Sequence, residues 1–416
     1  MPLRMKNLRR GRREVLFLVI NILGIFIFLA IGVLFSKRRK EIKWSSVKIL
    51  LLLNIAMAWF LIYFPLGREL LTGAAAVIVW LLDVSYEGIG FVFSDWVKPA
   101  GGQMNFFTGV LLPILLVVPL FDLLTYFGIL PAVIRGIGKV LALVTRQPKF
   151  ESFYAIEMVL LGGTQSLAIS KLQLNRMKAD RNLTIAMMAL SGTSAAILGA
   201  YMKMMPPEFI IAAPPINLIN ALLVSNILHP VRISEEEDTV AEVDDGGRER
   251  QPFFAYLSDS IVGAGRLILI IAATLITFVG LLTLIDKLLM MVHPAFTLEA
   301  VLGYLFFPFA WLLGLSSAEA FQMAQYMGLK LVTNEFVVML QAKDMVAGFT
   351  PHLQCVLTVF VTSFANFGTV GIIMGIFKGF GDDIKHELIA RNVGYIILNG
   401  VLVSLLSAAI AGLFVW

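Results

Sequence analysis

One cysteine, Cys355, stands in a chain of 416 residues, so neither an intrachain disulfide nor a thiolate-rich metal centre can form. Histidine is scarce as well: His229, His293, His352 and His386 are scattered with no i, i+4 pair, which removes a zincin-type site. Charged side chains make up only 15% of the sequence, against about 25% in soluble domains, while hydrophobic residues reach 58%. There is no G-x-S-x-G elbow, no phosphate-binding P-loop and no nucleic-acid-binding motif. Hydrolytic, ATP-driven and nucleic-acid-binding readings therefore lack their usual signatures. The formal net charge of +5 suits basic cytoplasmic loops better than a polyanionic partner.

What the sequence has in quantity is apolar runs. Those at 15–35, 49–66, 106–130, 209–228, 258–292 and 393–415 are each long enough, at about 1.5 Å per helical residue, to cross a ~30 Å hydrocarbon core. The first is too long for a signal-peptide core, lacks a small-residue cleavage site and is followed by Lys37-Arg38-Arg39-Lys40, so it reads as an uncleaved span. Two further runs are interrupted, 183–201 by Ser191-Gly192-Thr193-Ser194 and 352–377 at Asn366. The stretch 68–90, thinned by Arg68, Glu69, Asp83 and Glu87, reads as interfacial, and 131–146 has the spacing of an amphipathic helix on the membrane surface. Residues 150–174 are too few for two crossings and are broken at Gly162-Gly163, which predicts a re-entrant hairpin.

Between 233 and 251 lies the one plainly soluble stretch, with Glu235-Glu236-Glu237-Asp238 and Asp244-Asp245, of disordered composition. Beyond it the hydropathy pattern restarts, with a shorter apolar run at 296–315, a second hairpin around Asn334-Glu335 and the helix broken at Asn366. Interrupted segments at matching places in two halves predict an all-α polytopic membrane protein, with about eight transmembrane helices and two re-entrant hairpins in an inverted repeat. The organisation expected is N-terminal spans and an interfacial segment (1–100), a first repeat (101–232), an acidic cytoplasmic linker (233–252) and a second repeat (253–416). Loops at 37–48, 131–181, 229–252 and 378–391 carry six, eight, three and three Lys and Arg. The opposite side carries Arg68, Lys98, Lys203, Lys287, Lys330 and Lys343, which makes the first set cytoplasmic. The basic tail from Arg4 to Arg13 argues the other way, so the first span decides nothing.

Chemistry concentrates in three polar clusters inside apolar surroundings: Gly162-Gly163-Thr164-Gln165-Ser166, Asn334-Glu335 and Ser363-Phe364-Ala365-Asn366-Phe367-Gly368-Thr369. A carboxylate at a helix centre costs roughly 2.5–3.5 kcal/mol to insert, so Glu335 is a functional candidate by default. A glutamate that merely ends a helix at the interface is the plain alternative. Two rival classes carry weight. Gly379-Phe380-Gly381-Asp382 matches the G-x-G-D string of intramembrane aspartyl proteases, but Asp382 sits in a charged loop without the facing carboxylate that chemistry needs. A channel is the other, and a central pocket flanked by broken helices favours alternating access over an open pore.

From about residue 106 onward the chain resembles the concentrative nucleoside transporters. Residues 302–314, reading LGYLFFPFAWLLG, are similar to that family's LGYLF-P-AWL-G stretch. Residues 328–337, GLKLVTNEFV, are similar to its GTKL-x-x-NEFV, and 364–367 to its FANF. The resemblance implies that Glu335, Asn366 and Thr369 grip the ribose, with Thr369 where a serine is usual and Phe364 packing beside them. A carboxylate accepts from sugar hydroxyls, and an amide both donates and accepts. The family's base-reading G-Q-T-E is here Gly162-Gly163-Thr164-Gln165. Gly163 then leaves space where a glutamine meets pyrimidines, and Gln165 offers a donor as well as an acceptor, so purine nucleosides are expected over pyrimidine nucleosides. Met158 stands where sodium-coupled members carry an asparagine, and a thioether is a poor ligand for a hard cation. The expectation is a proton-coupled importer with Glu157 or Glu335 as proton carrier. The alternative is a sodium-coupled pyrimidine nucleoside symporter with a cation site near Ser191 and Ser194. The resemblance further implies a homotrimer with a scaffold around a moving transport domain, in a bacterial-type inner membrane. No cofactor beyond the coupling ion and no covalent chemistry are expected.

Overall fold

The computed structural model describes residues 2–97, 104–234, 237–238, 251–294 and 296–416, and among these every regular element is helical. The first half runs α1 (Pro2–Leu34), α2 (Trp44–Ala58, continued by the π turn Trp59–Tyr63), α3 (Pro65–Val92), α4 (Ser94–Val97) and α5 (Ile114–Tyr126, preceded by the π turn Phe107–Leu111). It continues with α6 (Ile129–Thr145), α7 (Lys149–Leu161), α8 (Gly163–Ile169), α9 (Lys171–Arg176), α10 (Ala179–Ala189), α11 (Leu198–Met202) and α12 (Pro207–Leu228). The second half holds α13 (Phe253–Val292), α14 (Leu298–Trp311), α15 (Ser317–Val332), α16 (Glu335–Ala342), α17 (Pro351–Val361), α18 (Phe367–Gly379), α19 (Asp383–Arg391) and α20 (Val393–Gly412).

Seven helices among the described residues are long and apolar enough to cross a membrane: α1, α2 and α5 with their π turns, α3, α12, α13 and α20. Six of them coincide with the uninterrupted apolar runs. The two interrupted runs are the broken helices α10/α11 and α17/α18, whose pieces are individually too short. The seventh is α3, which covers the stretch expected to be interfacial. Its 28 residues suffice for a crossing, and its buried residues run from Gly67 and Leu71 near its start to Leu82, Ser85 and Ile89 near its end. Ile78 and Leu82 pack over Gly199, the Tyr86 hydroxyl donates to the Gly109 carbonyl at 2.8 Å, and the Lys203 ammonium lies over the Tyr86 ring.

The chain breaks where its residues leave no helical option. Gly162 adopts φ 98°, open to glycine and strained for any other residue, and α7 stops there. A straight helix would separate residues 157 and 170 by about 20 Å. Instead the Ser170 hydroxyl donates to Glu157 at 2.9 Å, so the chain has doubled back into a hairpin. In the second half the Asn334 side chain caps α16 by accepting from the Val337 amide, and the Asn366 side chain caps α18 by accepting from the Thr369 amide.

The two halves interlock through their closing helices. The α12 residue Asn217 donates its amide to the Thr362 carbonyl at 2.6 Å, where α17 ends, and the α20 residue Asn399 donates to the Met187 carbonyl at 2.7 Å, near the end of α10. Each closing helix thus feeds an asparagine into the opposite half's broken helix, and α12 packs on α20 between them. These two helices are the most buried spans, whereas α3 and α13 expose most of their apolar surface, as lipid-facing or partner-facing elements do.

Two expectations need correction. Lys330 does not belong to a loop on the non-cytoplasmic side, because it is 1% exposed within α15 and its charge contributes nothing to topology. The linker is not free over its whole length. Glu237 and Asp238 are tied down, Glu237 by an ion pair with Lys178 and a bond from Arg181 to its carbonyl, Asp238 by the Lys149 amide at 2.7 Å. Lys178 holds the Glu237 carboxyl below the usual carboxylate range. Glu235, Glu236 and residues 239–250 of the linker lie outside the described residues, as does Lys98; the side chains of the basic tail from Arg4 to Arg13 are likewise not described.

Candidate functional site

Glu335 opens α16 one residue after the hairpin turn, and at 4% exposure it is held rather than solvated. One carboxylate oxygen accepts from the Tyr201 hydroxyl at 3.0 Å and the other from the Asn366 amide at 3.3 Å. The carbonyl oxygen of the same Asn366 side chain accepts from the Thr369 amide at 2.8 Å and from its hydroxyl at 3.1 Å. An amide gives to the acid through its NH2 and takes from the helix end through its oxygen at once. Position on the first turn of α16 also puts the carboxylate where unpaired helix amides favour negative charge.

Glu335, Asn366 and Thr369 line a cavity of about 440 Å³, within the usual range for small-molecule sites. Thr333, Asn334 and Phe364 line it beside them. Gly162, Thr164, Gln165 and Ser194, from the first hairpin and the α10 break, line it as well. Ile270 and Phe278 of α13 add apolar lining. The three polar clusters of the sequence therefore meet in one space. It offers a carboxylate, three amides and hydroxyls to a polar solute, and apolar side chains to a ring.

Not every candidate reaches that space. Gly163 is a correction: a Cβ there would lie 1.9 Å from the Ala189 carbonyl oxygen, so this position faces the α10 backbone and adds no room to the cavity. Its glycine answers close packing of the hairpin against α10. Ser191 is buried off the cavity, while Ser194 lines it and caps a short 3₁₀ turn by accepting from the Ala196 amide. Glu157 is 3% exposed and lies inside the hairpin on Ser170. Met158 fills the gap between the first hairpin and the α10 break, since a Cβ on Gly192 would lie 2.2 Å from its Cγ. Among the described residues no group of His, Cys, Asp or Glu is arranged to hold a metal ion.

Asp382 caps α19 by accepting from the Lys385 amide, and that bond holds its carboxyl below the usual range. With Lys385 beside it at 3.3 Å and no facing acid among the described residues, it is a helix cap and not half of a catalytic dyad. Sequence reasoning missed two residues. Tyr201 gave no signal beyond its place after the α10 break. Lys330, inside the GLKL string, gave a clear one, because a lysine in an apolar segment needs a buried partner.

Paired re-entrant hairpins, paired broken helices and a polar cavity between them define a multi-pass membrane transporter. Models of the Na+ dependent nucleoside transporter match its N-terminal part at residues 23–96 and its C-terminal part at 209–412. The purine nucleoside transport protein NupG of Bacillus subtilis is 38% identical over 401 residues, which cover 96% of this chain and 100% of that protein. The nucleoside permease NupC of Helicobacter pylori is 27% identical over 95% of this chain and 97% of its own length. Among solved structures, CNTnw in an inward-facing substrate-bound state matches with a TM-score of 0.86 at 25% identity, over 96% of this chain and 98% of that one. A CNTnw variant in an outward-facing state matches with a TM-score of 0.89 at 26% identity. The chain belongs to the concentrative nucleoside transporter family.

Proposed function

We propose that this protein imports purine nucleosides by proton symport across a bacterial-type inner membrane. One observation carries the reading: Thr164 and Gln165 from one hairpin line the same cavity as Glu335, Asn366 and Thr369. In this reading the carboxylate and Asn366 take the ribose hydroxyls, Phe364 flanks the sugar, and Thr164 and Gln165 meet the base. The purine preference rests on Gln165, whose amide matches edges carrying both a donor and an acceptor, and on the similarity to a purine nucleoside transport protein. The Gly163 position lends it nothing.

Proton coupling is supported by Met158, whose thioether occupies the gap between hairpin and broken helix where a hard cation would need oxygen ligands. Glu157 and Glu335 are the two carboxylates available as carriers. Assembly as a homotrimer agrees with the family and with the exposed apolar surfaces of α3 and α13. Uptake of labelled adenosine into proteoliposomes, under imposed proton or sodium gradients, tests substrate and coupling together. Accumulation driven by a proton gradient and collapsed by a protonophore is the expected outcome. Uptake that requires sodium at constant pH and ignores a protonophore overturns the coupling, and folded protein that takes up no ribonucleoside overturns the function. Inhibition of adenosine uptake by uridine as strongly as by guanosine overturns the purine preference.

A further inference from the structure

Lys330 is the buried charge that the solute site does not use. Its ammonium donates to the Phe360 carbonyl at 2.5 Å, to Ser363 Oγ at 2.6 Å and to Ser404 Oγ at 3.3 Å, and lies 4.5 Å from the centroid of the Phe360 ring. Three acceptors satisfy all three of its protons. Among the described residues no carboxylate forms a direct ion pair with it, so its charge is balanced at longer range.

The balance is found along the α17–α18 break. Lys330 sits at the C-terminal end of α17, where unpaired carbonyls favour a cation. Glu335, five residues further along the same hairpin, sits at the N-terminal end of α18 through its bond to Asn366. Ser363 binds the cation and Asn366 binds the acid, with only two residues between them. The opened helix therefore presents its negative end to Lys330 and its positive end to Glu335.

We propose that Lys330 is the counter-charge of Glu335: anchored in the α17–α18 break, it favours the ionised form of the cavity carboxylate against the cost of burying it, so no bound cation is required there. This rests on the reading of Glu335 as the solute-binding acid. A consequence is that the coupling proton travels on Glu157, which has a hydroxyl beside it and no cation among the described residues.

The test is a double-mutant cycle on thermal unfolding of the full-length protein in detergent, using Lys330→Met, Glu335→Gln and the pair. It needs no nucleoside. Removing one member of a buried charge pair strands the other, so Lys330→Met alone is expected to lower the unfolding midpoint by about 5 °C or more. Adding Glu335→Gln should restore more than half of that loss. A lysine that only bonds Phe360 and the serines gives additive losses, and additivity overturns the proposal. Where Lys330→Met does not accumulate, Lys330→Gln, which keeps a donor for the Phe360 carbonyl, replaces it in the cycle. Non-additive recovery in a protein that adenosine fails to stabilise supports the charge pairing and overturns only the reading of the site.

Discussion

The two hairpins occupy matching places in the two halves yet keep their acids in different company. In the first, the turn is made by Gly162 in the left-handed region, and Glu157 lies well back from it, bonded across the hairpin to Ser170. In the second, Asn334 makes the turn as a helix cap, and Glu335 is the first residue past it, open to the cavity and tied to Tyr201 and Asn366. One acid is sealed inside its hairpin and the other faces the solute space. The difference suggests a division of labour that hydropathy symmetry conceals, with the second hairpin holding the solute and the first holding the proton.

The sharpest way to break this comparison is to disable the second hairpin. Glu335→Gln and Asn366→Ala are each expected to reduce nucleoside uptake by about 100-fold or more at unchanged expression, since each leaves a buried polar group unpaired. Near-normal transport in both would remove the site from these residues. Disabling the acid of the first hairpin should look different. Glu157→Gln is expected to lower concentrative uptake by about 10-fold or more while exchange of internal for external nucleoside continues, because a fixed neutral amide carries no proton. Equal loss of exchange and accumulation would show that Glu157 serves the fold and not the coupling.

Smaller effects sharpen the contrast. Tyr201→Phe removes one neutral donor to Glu335 and should weaken apparent nucleoside affinity by about 5- to 10-fold, read as a change in KM. Gln165→Glu replaces an amide by an acceptor-only group and should move the ratio of adenosine to uridine uptake toward the pyrimidine by ~10-fold or less, measured by competition. Gly163→Ala tests packing instead of selectivity. The new methyl meets the Ala189 carbonyl, so about 1–3 kcal/mol of stability should be lost, visible in thermal unfolding, with the purine preference of the surviving protein unchanged.

Legibility followed the physics of each feature. The uninterrupted apolar runs were readable because a membrane demands their length, and the breaks at Gly162, Ser191 and Asn366 because polar or flexible residues in such runs require a reason. Met158 and Gly163 illustrate the opposite limit. Both were singled out from a motif, yet one turned out to be a plug between hairpin and helix and the other a contact with the Ala189 backbone. Motif position reveals which residues matter, while the direction of a Cβ depends on how two helices approach.

By itself, then, the amino-acid order determined an all-helical membrane chain, two interrupted halves, and polar clusters at Glu335 and Asn366 inside apolar runs, because hydropathy and helix capping act over a few residues. Only the tertiary structure decided that Tyr201 completes the acid's bonds, that α12 and α20 exchange asparagines with the opposite half, and that Lys330 is buried beside the α17–α18 break. Those partners stand up to more than two hundred residues apart in the chain, and nothing local dictates which carbonyl or hydroxyl a buried amide or ammonium will find. Only the packing of helices against one another brings them within hydrogen-bonding distance.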